Sequence, residues 1–159
     1  MAQPDPPVTV ILTHEHTDFD ALARLLAASR LYPTATPILP RQMNRNLEAF
    51  LAEYAEVLPF VRLEEYPRRR IDSVVLVDNQ VRGNTASRGG GVYVSESNGV
   101  SFSGNVIAGN NAGWGGGLYF WASNASTFVG NTIADNADAG LRFEISEQVH
   151  FEGNTLQGN

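Results

Sequence analysis

Phe102-Ser103-Gly104-Asn105-Val106-Ile107-Ala108-Gly109-Asn110 and Phe128-Val129-Gly130-Asn131-Thr132-Ile133-Ala134-Asp135-Asn136 are two copies of one phrase. The columns they share run further in both directions. Asn79, Asn105, Asn131 and Asn154 recur at spacings of 26, 26 and 23 residues, and Asn84, Asn110, Asn136 and Asn159 keep the same intervals. Three residues before the first Asn of each unit stands Leu76, Phe102, Phe128 or Phe151, and two after it Val81, Ile107, Ile133 or Leu156. Gly-Gly-Gly-Val-Tyr-Val at 89–94 returns as Gly-Gly-Gly-Leu-Tyr-Phe at 115–120, then loosely as Ala-Gly-Leu-Arg-Phe at 139–143. A period of this size with several short strands per unit suits a chain that winds back over itself. Each apolar column then stacks on itself from rung to rung, and each Asn column forms a ladder of amides. Full burial of a Phe or Ile is worth ~1.5–3 kcal/mol, so a column of four such residues weighs heavily. The Gly triplets suit corners that need positive φ or close backbone approach. The competing reading, a disordered Gly/Asn-rich tract, would not keep Phe and Ile in phase with Asn.

Outward from the repeat, the composition changes sharply. Residues 74–159 hold the glycines and most of the Asn, with no Pro and no Lys; residues 1–73 hold the prolines and most of the Arg. Such a shift marks a boundary between structural units, here a first segment at 1–73 and a repeat segment at 74–159 with rungs of 23–26 residues. In the first segment Val8–Thr13 is an apolar run suited to a buried strand, followed by a polar loop, His14–Asp18. A helix is predicted from about Asp20 to Leu31, with Leu22, Leu25, Leu26 and Ser29 on one face. Ile38–Leu39 is a second strand, about Leu47–Leu58 a second helix, Pro67 with Arg68–Arg70 a turn, and Ile71–Val77 a third strand. Strand, helix, strand, helix, strand implies a mainly parallel sheet covered by helices. The predicted fold class is thus α/β, then all-β, with Val74–Val77 as a hinge strand.

The totals narrow the function. A chain of 159 residues suggests one domain by length alone. No apolar run is long enough to span a membrane. The opening Met-Ala-Gln-Pro-Asp-Pro-Pro lacks the basic and apolar regions of a secretory signal, so a cytoplasmic location is expected. Without Cys there is neither a disulfide framework nor a thiolate metal site. A formal net charge of −6 argues against broad nucleic-acid binding, which rests on many Lys/Arg contacts to phosphate. A phosphate-containing small molecule would need a metal ion or a local basic cluster to offset that charge. Arg68–Arg70 is such a cluster, although a solvated turn explains it more simply.

The Gly-Asn-x-Ile-x-x-Asn run with its triple-Gly corner resembles the right-handed parallel β-helix family, the pectate-lyase-like fold. The resemblance covers about residues 74–159 and implies a short right-handed coil. Relatives include polysaccharide lyases, epimerases, adhesins and passive stalks, so it implies a carbohydrate-binding, structural or surface-interaction module. Lyases of this fold generally rely on clustered acidic Ca²⁺ ligands and a basic catalytic residue. The rungs offer Asp135, Asp138 and Glu144 with Arg142, which are expected to form a solvated outer face. Trp114 and Trp121 near the Gly corners suggest a sugar-stacking face, with ordinary rung packing the expected outcome. Asn124-Ala125-Ser126 matches a glycosylation acceptor without an export signal to support it.

The sharpest chemical signal lies elsewhere, at Thr13-His14-Glu15-His16-Thr17-Asp18-Phe19-Asp20, where the first strand gives way to the first helix. Ligand sites of open α/β sheets gather at the carboxyl ends of strands. His14, Asp18 and Asp20 are ligand types that suit Mn²⁺ or Mg²⁺, and Asp78 leaves the end of the third strand. Asp18 or Asp20 capping the helix is the simpler alternative. The pattern His14-x-x-x-Asp18-x-Asp20 resembles the first motif of the DHH phosphoesterase superfamily. Val74-Val75-Leu76-Val77-Asp78-Asn79-Gln80 is similar to its second motif. Leu39–Asn46 further resembles the DHH module attached to CBS domains and a tRNA nucleotidyltransferase/poly(A) polymerase domain.

This resemblance covers about residues 7–80 and implies two-metal phosphoester hydrolysis on a nucleotide or nucleic-acid substrate. It implies His14 and Asp18 as ligands of one metal, Asp20 of the other, and Asp78 as the bridge. His16 departs from the Asn common at its position. The third motif, Asp-His-His, is absent: the only His after His16 is His150, alone between Val149 and Phe151. A truncated DHH-like half-domain, holding at most one ion weakly and inactive by itself, is therefore expected. Residues 74–80 fit both templates, with Asp78 standing where later rungs have Gly104, Gly130 and Gly153. The chain thus reads as a DHH-like beginning joined to a β-helix, a chimera or a fragment. Its last repeat ends uncapped at Asn159, and unpaired strand edges there are expected to self-associate.

Overall fold

The computed structural model describes residues 7–159; the opening stretch read above as lacking a signal lies almost wholly outside them, in residues 1–6. The chain divides into two compact units, Met1–Val75 and Leu76–Asn159.

The first unit runs β1 (Thr9–Leu12), α1 (Phe19–Leu31), β2 (Thr36–Leu39), α2 (Arg45–Tyr54), β3 (Val61–Arg62) and the start of β4 (Ser73–Val77). Its strands lie in the order β4-β1-β2-β3, with β1 parallel to β2 and β2 parallel to β3. Val10, Ile11, Ile38, Leu39 and Val75 of the sheet are buried, with Leu22 and Leu25 of α1 and Leu47 and Leu51 of α2. Both helices start on a side-chain cap. Asp18 Oδ1 accepts from Ala21 N at 3.0 Å, and Asn44 Oδ1 from Asn46 N at 2.9 Å, each satisfying one of the donors a helix start leaves unpaired. The Asn44 cap explains why α2 begins before Leu47. It ends at Tyr54, earlier than predicted, in a turn where Val57 N and Leu58 N both donate to Tyr54 O, and Pro59 bars any continuation. Val57, within the predicted helix but past its observed end, is 75% exposed.

The second unit is built of short parallel strands stacked in four columns. The first follows the end of β4 with β8 (Ser101–Ser103), β12 (Thr127–Val129) and β15 (His150–Glu152). The next stacks β5 (Gln80–Arg82), β9 (Val106–Ala108), β13 (Thr132–Ala134) and β16 (Thr155–Gln157). A two-strand column pairs β6 (Thr85–Ala86) with β10 (Asn111–Ala112). The last stacks β7 (Val92–Ser95), β11 (Leu118–Trp121) and β14 (Leu141–Glu144).

The register is the one the repeat implies: Phe102, Phe128 and Phe151 are direct partners, as are Val81, Ile107, Ile133 and Leu156. Phe102 and Phe151 each stack on Phe128 with ring centroids 5.0 Å apart. That distance is the spacing of hydrogen-bonded strands, so the rings stack because the backbones do. Phe120 stacks on Phe143 in the facing column at 5.1 Å, and edge contacts of 5.5–6.0 Å join the two columns across the interior. The Asn columns form the expected ladders. Asn105 Oδ1 accepts from both N and Nδ2 of Asn79, and Asn131 Oδ1 from the same atoms of Asn105, at 2.8–3.0 Å. The other Nδ2 proton of Asn105 goes to Leu76 O, and that of Asn131 to Phe102 O, so each buried amide has partners for both protons. Asn84, Asn110, Asn136 and Asn159 repeat the arrangement.

The third rung is shorter by three residues, and the shortening falls at one corner. Asn111–Gly116 separates Asn110 from Gly117, whereas only Ala137, Asp138 and Ala139 separate Asn136 from Gly140. The two-strand column therefore has no third member. The chain cuts the corner so closely that a Cβ on Gly116 would collide with the Ala137 carbonyl oxygen.

Candidate functional site

Alternation along β7, β11 and β14 decides what the second unit shows to solvent. Val92, Val94, Leu118, Phe120, Leu141 and Phe143 turn inward to the core. Side chains of a strand alternate between its faces, so Tyr93, Tyr119 and Arg142 form one outward column and Ser95, Trp121 and Glu144 the next. The rings of Tyr93 and Tyr119 stack at 5.3 Å and 14°. Tyr119 is covered by its neighbours, while Tyr93 is 44% exposed.

The shortened corner shapes the rest of this face. The third rung has no residue at the position of Trp114, whose place one rung earlier is held by Arg88. The Arg142 guanidinium lies over the Trp114 ring instead, 4.4 Å from its centroid, and the residue stays 46% exposed. Arg142 is itself held by Glu144, with Nε and Nη2 each 2.9 Å from Oε1, and Tyr119 donates its hydroxyl to Glu144 Oε2 at 2.9 Å. Asp138 Oδ2 accepts from Gly115 N at 2.7 Å and lies 3.9 Å from Arg142 Nη1. The hydrogen bonds from Tyr119 and Arg142 hold the Glu144 carboxyl below its ordinary pKa, so it is ionised at neutral pH. Burial, reinforced by Glu144, raises the Tyr119 phenol above its ordinary value and keeps it protonated. The result is a fixed surface: two accessible aromatic rings, with Arg142 and the carboxylates of Asp138 and Glu144 bonded together on its β14 side.

A family described as "Right handed beta helix region" matches this chain over residues 69–159. The chain belongs to the right-handed β-helix family. Among curated proteins it is similar to the A-adding tRNA nucleotidyltransferase of Geobacter sulfurreducens, at 39% identity over 72 residues. That stretch is 45% of this chain and 8% of the relative, so the chain spans only a small part of that protein's length. No solved structure matches. No helix among the described residues is long and apolar enough to cross a membrane.

The β-helix face was only partly visible in the sequence. Trp114, expected to be ordinary rung packing, is instead a surface ring beside the shortened corner. Arg142, Glu144 and Asp138, expected to be a solvated face, form a bonded network. Asp135 stands apart from them at a rung corner, with φ 54°. Tyr93 and Tyr119 enter the sequence pattern only as members of the repeat, although the alternation in Val-Tyr-Val, Leu-Tyr-Phe and Leu-Arg-Phe points their side chains outward.

The residues implied by the DHH resemblance lie as follows. His14, half-buried, has Nδ1 2.6 Å from Glu15 O, and its own carbonyl accepts from the Thr17 hydroxyl at 2.6 Å. His16 has φ 62° and its backbone N donates to Gln42 O. Asp18 caps α1 and Asp20 is exposed in the helix's first turn. Asp78 belongs to the second unit and takes φ 55° at a rung corner. Among the described residues no group of three or more His, Asp or Glu is gathered to hold a metal ion. His150 is exposed on β15, 3.6 Å from Glu152. Arg69 donates to the Tyr66 hydroxyl, Arg70 pairs with Asp72, and the Ser126 of the glycosylation pattern is buried.

Proposed function

We propose that the right-handed β-helix unit is a binding module whose outer face contacts polysaccharide. The observation that carries this reading is the rigid outward surface on β7, β11 and β14. Tyr93 on β7 and Trp114, in the bend before β11, stand accessible there beside strands that the core holds in place. A pyranose ring has a C–H face, weakly positive and apolar, that complements the negative face of an aromatic ring, while its hydroxyls bond to flanking polar groups. Rigid aromatic contacts lose little side-chain freedom on binding, which favours affinity. Phosphoester hydrolysis, implied by the first-strand motif, has less support: Asp18 already caps a helix, and the Asp-His-His motif is absent.

Retention of the chain on a panel of insoluble neutral and acidic polysaccharides tests the proposal. The expected result is retention on at least one of them, unaffected by Mn²⁺ and abolished in the Tyr93→Ala/Trp114→Ala double variant. Passage through every column, together with a melting temperature raised by Mn²⁺ in the parent chain but not in Asp18→Ala, would overturn it in favour of the metal reading.

A further inference from the structure

Resting on that reading, we infer that this face takes a neutral glycan and discriminates against uronate polymers. An anionic sugar chain is recognised by cations free to pair with its carboxylates, or by clustered carboxylates that share a cation with it. On this face Arg142 and the two carboxylates beside it are engaged with one another. Arg142, on the edge strand β14, is engaged by Glu144 through two nitrogens at 2.9 Å, is approached by Asp138 at 3.9 Å, and lies over one face of the Trp114 ring. The low pKa of Glu144 keeps that pairing intact at neutral pH. Arg88, exposed, is the other cation whose charge reaches Tyr119 and Glu144, so the face carries two cations against the two carboxylates of Asp138 and Glu144 and has no net positive charge to offer. Around it, residues 76–159 carry three Arg against seven Asp and Glu, a background that repels a polyanion. What remains for recognition is ring faces and hydrogen-bonding polar groups, which is the chemistry of an uncharged sugar.

The chain's two Trp, at 114 and 121, both belong to this region and report directly on it. Trp fluorescence titrations with β-1,4-glucose and β-1,4-xylose hexasaccharides are compared with hexagalacturonate, the latter with and without Ca²⁺. The expected result is saturable change with a neutral hexasaccharide, an affinity at least about tenfold weaker for hexagalacturonate, and about tenfold loss in Tyr93→Ala. Tyr93→Phe, which keeps the ring, retains binding and controls for folding. Glu144→Gln, which frees the Arg142 charge, shifts preference toward hexagalacturonate. Tighter binding of hexagalacturonate by the parent chain, or no shift in Glu144→Gln, overturns the charge selectivity while leaving polysaccharide binding standing. Failure of both classes here and on the insoluble panel removes the proposed function itself.

Discussion

Asp135 takes φ 54° at the corner where Gly83, Gly109 and Gly158 have φ 66°, 63° and 63°. An L-residue with a Cβ is strained there, though Asp less than most. Asp135→Gly is expected to stabilise the chain by about 0.5–1 kcal/mol, seen as a higher urea midpoint with an unchanged slope. A lower midpoint would show that the aspartate side chain holds the corner. Asp78 stands likewise at φ 55° where Gly104, Gly130 and Gly153 have 64°, 62° and 59°. Read by chemistry alone, Asp135 is a candidate acid and Asp78 a candidate ligand. Read by column, both replace glycines, and that second reading needed only the spacing. Trp114 was harder. Nothing local distinguishes it from a packed aromatic; its exposure comes from three residues missing one rung later.

The stacked columns are the elements whose loss the fold would feel most. Phe128 is fully buried, stacked on Phe102 and Phe151 and met edge-on by Phe120 and Phe143. Phe128→Ala is expected to cost about 3–5 kcal/mol in chemical denaturation, since it removes the ring and leaves a cavity between flanking rungs. A cost below about 1 kcal/mol would mean the rungs close over the gap. These elements were legible because one period governs them: a 26-residue interval fixes strand, register and facing residue together. The elements of the first unit have no such repetition. Their type can be read from apolar spacing and caps, but α2 ends at Tyr54 with no breaker in the sequence before Pro59. The two residues of β3 are too few to carry a pattern.

For the whole molecule, rung-to-rung pairing in the second unit joins residues 23 or 26 positions apart, as the Asn ladders do. Loops of that length must close before the contacts reward it, and parallel pairing of this kind is slow to form. Refolding from denaturant, followed by Trp fluorescence, is expected on the order of milliseconds to seconds. A microsecond phase carrying the full amplitude would show that the rungs do not assemble through these long-range pairs.

The cut corner between Asn136 and Gly140 bears on how such a protein changes over time. The third rung lacks three residues, yet Leu141 still pairs with Leu118 and Phe151 with Phe128. A small in-frame deletion or insertion at that bend alters which groups meet the outside world and goes unnoticed by the interior. Novelty in contacts and integrity of the fold are thereby uncoupled, and descent can revise one without endangering the other.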